Sequence, residues 1–191
     1  MPRFNFSGIH HVAFATANLD KTIAYWRDLL GFNIIFGMTD KDQKQISFRI
    51  SQHMMVFFFE WEEVERVKPK RHGEPVKGPF IFDHLAIHME KESDLFALQD
   101  QLVCANFPVS DIINHGFLHS IYTFDPNGIP LEFSWKVPQV DLDKKPVFVT
   151  DETTRAEMPA LTPNADRWPV CEEDPEDVRV ILPGKELKYF Q

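Results

Sequence analysis

Apolar and polar positions along the first 135 residues follow one succession of patterns, and that succession is written twice. Ile9-His10-His11-Val12-Ala13-Phe14 and Phe82-Asp83-His84-Leu85-Ala86-Ile87 are both short apolar runs around a central histidine, as a buried strand would be. After the first run, Asn18 or Asp20 can cap a helix whose apolar face carries Ile23, Trp26 and Leu30, and Gly31 supplies its stop. After the second, Ser93 or Asp94 can cap a helix with Leu95, Leu98 and Leu102 at helical spacing. Strand patterns then follow in each copy, over residues 32–36, 46–50 and 54–61 in the first and 109–113, 118–124 and 129–135 in the second. Asp125-Pro126-Asn127-Gly128 marks a hairpin, because proline presets one turn dihedral and glycine accepts a positive φ. Each copy reads β-α-β-β-β.

A module of about 55 residues leaves one sheet face uncovered, so two must pack together. The expected fold is α+β: two βαβββ modules, residues 7–61 and 80–136, packed as a paired, partly open β-barrel within a domain spanning 1–136. Residues 62–79, charged and rich in proline and glycine, read as the linker between them. Residues 137–191 change character and form an irregular, acidic C-terminal extension, with half of the chain's 14 prolines and the run Glu172-Glu173-Asp174-Pro175-Glu176-Asp177. Trp168, Val178, Val180, Ile181, Leu182, Tyr189 and Phe190 are too apolar for a purely solvated tail, so it is expected to wrap a module or a partner subunit.

Composition narrows the function classes. At 43% hydrophobic residues the 191-residue chain can bury a real core. The formal charge is −9, and the one basic cluster, Lys68-Pro69-Lys70-Arg71-His72, is short, so a nucleic-acid partner has little electrostatic support. No apolar run reaches the roughly 20 residues needed to cross a bilayer, and the start of the chain lacks the pattern of a signal peptide. Cys104 and Cys171, far apart, do not suggest a disulfide framework. A cytoplasmic protein without membrane partners is the expectation.

Of the eight histidines, His11 and His84 occupy the same slot on equivalent first strands, so a pseudo-twofold relation between the modules would bring them face to face. A histidine in a strand is more often structural than a ligand, and here the repeat shifts that balance. Glu132 lies in the last strand pattern between Leu131 and Phe133, where an unpaired carboxylate would cost several kcal/mol. A single divalent metal held by His11, His84 and Glu132 satisfies all three. Two imidazoles and one carboxylate form the facial triad of non-heme Fe(II) oxygenases; Fe(II) is the expected ion, with Mn(II), Zn(II) or Ni(II) as alternatives.

These residues resemble the vicinal oxygen chelate superfamily, which includes glyoxalase I, fosfomycin resistance proteins, methylmalonyl-CoA epimerase and type I extradiol dioxygenases. The resemblance covers roughly residues 7 to 136. It is carried by His10-His11-Val12-Ala13, Asn18-Leu19-Asp20, Tyr25-Trp26-Arg27-Asp28-Leu29-Leu30-Gly31-Phe32 and Asp125-Pro126-Asn127-Gly128-Ile129-Pro130-Leu131-Glu132.

Glyoxalase-type members take a fourth ligand from the last strand of the first module. Counting back three residues from Trp135 gives Glu132, and counting back three from Trp61 gives Phe58, which cannot bind a metal. Glu60 is the rival that a shifted register would bring in. The resemblance further implies a His-Gly pair and a tyrosine before the ligand glutamate, as in the extradiol enzymes, and here His115-Gly116 and Tyr122 match that order. His119 competes with His115 for the acid–base role, and His72 lies near a further acid–base position of the family. The resemblance thus implies an Fe(II) ring-cleaving dioxygenase, a homodimer, acting on a catechol-like or other vicinal-oxygen substrate with O₂. A glyoxalase, epimerase or thiol transferase on the same scaffold, or a non-catalytic binding protein, are the alternatives.

Overall fold

A computed structural model of the chain describes residues 8–39, 44–68, 70, 74–75, 82–142, 144–145 and 182. Contacts divide the chain into one unit over Met1–Pro146 and a second over Val147–Gln191. The second, and with it most of the expected extension, Cys171 and its apolar residues other than Leu182, lies outside the described residues, as does His72.

The first unit contains the β-α-β-β-β order twice. β1 (His11–Thr16) leads into α1 (Leu19–Ile23), which continues as a π-helical stretch over Ala24–Leu29. Then come β2 (Asn33–Thr39), β3 (Lys44–Arg49) and β4 (Met55–Glu60). The second copy is β5 (Leu85–His88), α2 (Glu92–Cys104), β6 (Ile113–Asn114), β7 (Leu118–Phe124) and β8 (Pro130–Lys136). The strands form two four-stranded mixed sheets of equivalent order, β1-β4-β3-β2 and β5-β8-β7-β6, neither closed into a barrel. In each, the first strand pairs parallel with the last and the remaining pairs are antiparallel.

Local chemistry accounts for the boundaries. The Asn18 side chain caps α1 by accepting from the Lys21 N–H at 2.8 Å. Further along, Leu30 N–H bonds the Tyr25 carbonyl at 2.9 Å, the wide i→i+5 spacing of a π turn. That turn swings Tyr25 and Trp26 onto the core together, and both are buried. Gly31, at φ +78°, ends the segment. α2 differs from expectation: its N-cap is Lys91, with no side-chain cap, so Ser93 falls inside the helix. The strand expected over 109–113 is shorter as well, with Val109 making one isolated bridge to Thr123 before β6 begins.

One core unites the two modules on their helix-bearing sides. Trp26 packs against Phe48 and Phe58 of its own sheet, and its indole N–H donates to the Asp125 carboxylate of the other module at 3.2 Å. Tyr25 packs against Phe107 with the rings tilted, and Gln101 donates to the Leu29 carbonyl. Leu85, Ile87, Leu95, Leu102, Ile121, Leu131 and Phe133 complete the core from the second module. Asp125, fully buried, also accepts from the backbone N–H groups of Asn127 and Ile129, so the hairpin turn is pinned beneath the first helix. Desolvation still holds its carboxyl above the usual range.

Because the helix sides are turned together, the opposite faces of the two sheets are left for function. His11 and Ala13 of β1 are exposed there, and so are Ala86 and His88 of β5. No helix among the described residues is long and apolar enough to cross a membrane.

Candidate metal centre

Strand periodicity decides which side chains share the open faces. In the second module, β5 pairs Ala86 with Glu132, and β7 pairs Tyr122 with Glu132. His84, two residues before Ala86, therefore falls on the same face as Glu132 and Tyr122. The contacts bear this out: His84 Nε2 lies 2.8 Å from Glu132 Oε2, and the His84 and Tyr122 rings meet edge to face at 5.9 Å.

Glu132 is only 6% exposed. The Ser120 hydroxyl donates to its other oxygen, Oε1, at 2.5 Å. On the far side of the imidazole, Nδ1 of His84 lies 2.8 Å from Asp83 Oδ1. That hydrogen bond, with Lys70 Nζ at 3.0 Å, holds the Asp83 carboxyl below the usual range. An imidazole steadied through one nitrogen by a carboxylate while the other meets a buried carboxylate is the supporting arrangement of a metal-binding histidine. His84 and Glu132 thus offer a nitrogen and an oxygen toward one point, and this donor set fits a divalent ion.

His11 stands apart from that pair. It lies on the open face of the first sheet, its ring 5.1 Å from that of Phe57 and its Nδ1 2.8 Å from Nδ1 of His10. Among the described residues no three His, Cys, Asp or Glu side chains gather as a metal site. Within a single copy of the chain, His11 is therefore not gathered with His84 and Glu132. The modules join through their helix sides, so the two histidine-bearing faces are not folded onto each other.

The fourth-ligand position is resolved by register. β1 sets Ala13 beside Phe57 as β5 sets Ala86 beside Glu132, so the counterpart of Glu132 is Phe57. Phe58, the residue reached by counting from Trp61, is fully buried on the helix side. Glu60 shares that side: its carboxylate accepts from Leu19 N–H and from Lys44 Nζ, each at 2.8 Å. It is turned away from the open face.

His115 Nε2 lies 3.1 Å from the Tyr122 hydroxyl, which places this pair beside His84. Burial, then the charge of Glu132, pushes the Tyr122 phenol up to about 12, so it keeps its proton at neutral pH. His119 belongs elsewhere. It alternates with Tyr122 along β7, points to the helix side, and binds Glu92 of α2 at 2.6 Å. It therefore lies on the face of β7 opposite Tyr122, away from His84 and Glu132. Sequence reading did not single out Asp83 or Ser120, although a carboxylate next to a candidate ligand histidine was a usable signal. A cavity of about 330 Å³ opens beside the pair, lined by Asp83, His84, Tyr122, Phe124, Val109 and Pro130 among others.

The profile of the Glyoxalase/Bleomycin resistance protein/Dioxygenase superfamily matches residues 8–133. The chain belongs to this superfamily. Solved structures of superfamily proteins share its fold. A glyoxylase/bleomycin resistance protein/dioxygenase domain from Frankia sp. EAN1pec superposes with TM-score 0.58 at 18% identity, covering 70% of this chain and 100% of that one. The fosfomycin resistance protein FosX from Listeria monocytogenes, complexed with Mn(II) and sulfate, gives TM-score 0.53 at 14% identity over 71% of this chain and 97% of its own. Lactoylglutathione lyase from Agrobacterium tumefaciens gives 0.50 at 20% identity over 68% and 93%. No curated protein matches the sequence. Superfamily members are generally enzymes and typically bind a divalent metal.

Proposed function

We propose that the chain is an Fe(II)-dependent, extradiol-type ring-cleaving dioxygenase for catechol-like aromatic substrates, acting as a homodimer in which His11 of one copy completes the His84–Glu132 pair of the other. The observation that carries this reading is the lack, among the described residues, of a fourth ligand on the open faces: Phe57 stands where the counterpart of Glu132 would be, and Glu60 is engaged by Leu19 and Lys44 on the opposite side. Two histidines and one glutamate match the facial triad of O₂-using iron enzymes better than a four-ligand glyoxalase site.

The uncovered faces support the homodimer. A sheet face with exposed His11 and Ala13, next to the exposed Ile9, needs a cover, and the face bearing His84 is its pseudo-symmetric complement. An isologous pair would place each His11 over the partner's carboxylate.

The remaining residues have definite work. Fe(II) held by His11, His84 and Glu132 would supply Lewis acidity and electrons for O₂. Tyr122, protonated, donates a hydrogen bond to a substrate oxygen. His115, joined to the Tyr122 hydroxyl, takes the proton from the substrate hydroxyl and returns it later. Asp83 fixes the orientation of His84. Phe124 and Val109 wall the cavity against water and accept an aromatic ring.

The test is anaerobic reconstitution with Fe(II), addition of a panel of catechols, and admission of O₂ at an oxygen electrode. Stoichiometric O₂ uptake with a yellow ring-opened product is the expected result. A protein that holds one metal per chain yet consumes no O₂ with any catechol would overturn the dioxygenase reading and leave lyase or isomerase chemistry on this scaffold.

A further inference from the structure

One cross-strand row on the open face of the first sheet carries a cation that no described residue pairs with. β1, β4, β3 and β2 pair His11 with Met55, Met55 with Arg49, and Arg49 with Asn33, so these four residues lie side by side on one face. The alternation confirms the side: Phe48, next to Arg49, is buried against Trp26 on the helix side, while Phe57, on the face of His11, touches the His11 ring. Two strand spacings separate His11 from Arg49, on the order of 10 Å between Cα atoms.

Arg49 is half-buried, and among the described residues its guanidinium has no ion pair or hydrogen bond. A partly desolvated guanidinium without an anion is costly, and five N–H donors in a fixed fork are suited to a carboxylate. Two residues along the same face, the Ser47 hydroxyl is buried and has no hydrogen-bond partner among the described residues. Neither donor is consumed by the sheet that carries it. The pseudo-symmetric position in the second module is Phe124, since β8 pairs it with Pro130 as β4 pairs Arg49 with Met55. One module therefore offers an apolar wall where the other offers a positive charge.

We propose that Arg49 is a specificity-determining residue that binds an anionic substituent of the substrate. Resting on the shared His11, His84 and Glu132 centre, this makes the substrate an organic anion, with two adjacent oxygens at the end near His11 and a carboxylate or comparable group about one ring length away. Phe124 packs on the ring between them.

The experiment compares two probes that share the chelating end and differ in charge: catechol, and protocatechuate, which is catechol carrying one carboxylate. Both are titrated calorimetrically, without oxygen, into full-length protein loaded with Fe(II), and the metal content of each sample is measured. Wild type is expected to bind protocatechuate at least about tenfold more tightly than catechol, as one charge-assisted forked contact allows. In Arg49→Gln the ratio falls to near one; in Arg49→Lys, which keeps the charge and loses the fork, part of the preference survives. A metal-loaded wild type that binds both probes alike, or neither, overturns the assignment of Arg49. So does an Arg49→Gln protein that keeps the full ratio, or one whose only defect is a weaker dimer. A wild type that takes up no metal refutes instead the reading of the centre itself.

Discussion

Phe57 in the first module occupies the place that Glu132 occupies in the second, each lying beside the alanine two residues beyond its module's candidate ligand histidine. This pair gives the two halves of the repeat different chemistry. One face supplies a histidine and an apolar ring, the other a histidine and a carboxylate steadied by Ser120. Replacing Phe57 by Glu should therefore add a fourth ligand. The expected outcome is a metal retained at least about tenfold longer against a chelator, together with loss of the proposed ring cleavage because coordination room for O₂ is taken. Metal retention equal to wild type would mean that the two positions do not face one ion.

The proposed sharing of the site between copies predicts complementation. His11→Ala and His84→Ala should each abolish metal binding alone. When the two variants are mixed and allowed to exchange subunits, half the dimers are mixed, and in each one site combines an intact His11 with an intact His84 from the other chain. About a quarter of the wild-type metal content should return. Elemental analysis after gel filtration reads it directly, and a mixture that stays empty would confine the site to a single chain or rule out these ligands.

Much of the fold was legible in the residues, and the misses share one cause. The two β-α-β-β-β copies, the Asn18 cap, the Gly31 stop and the Asp125–Gly128 turn follow from local patterns that the structure repeats. The counterpart of Glu132 was missed by one residue because Trp61 and Trp135 are not equivalent anchors: β4 ends at Glu60, whereas β8 runs through Trp135 to Lys136. A slip of one residue exchanges the two faces of a strand. His119 fails for the same reason, since its neighbours Ser120 and Tyr122 share a face that it does not. The separation of His11 from the His84–Glu132 pair depends on which faces the modules turn toward each other, and that is decided by Trp26 reaching across to Asp125, a contact 99 positions apart in sequence.

Glu60 predicts a pH effect with a definite sign. Its hydrogen bond from Lys44 and, next, that from the Leu19 N–H at the start of the first helix hold its carboxyl below the usual glutamate range. The folded state thus favours the ionised form. Its contribution is fully present above the unfolded value of about 4.3 and is lost as pH falls through the lower folded value. Lys44 is largely exposed, so the capping contact outweighs the ion pair. Glu60→Gln should cost about 1 kcal/mol at neutral pH, with the gap closing toward zero as the solution is acidified below about pH 4. A gap independent of pH, measured by urea unfolding, would show that the carboxylate charge has no part in it.

Gly128 should be the least replaceable glycine of the four that adopt positive φ among the described residues. At φ +81° it already disfavours any side chain, and a Cβ built there would lie 2.1 Å from the Val67 carbonyl oxygen, where the Val67 N–H also bonds the Asn127 carbonyl at 2.9 Å. Gly116, at φ +84°, has open space around the same point. The two sites therefore separate conformational strain from collision. Gly116→Ala should cost roughly 1 kcal/mol from backbone strain alone. Gly128→Ala adds the displacement of backbone at residue 67, which has no flexible side chain to absorb it, and should cost roughly 3 kcal/mol or more. Equal urea midpoints for the two variants would show that the segment around Val67 yields freely and is not clamped against the Asp125–Gly128 turn.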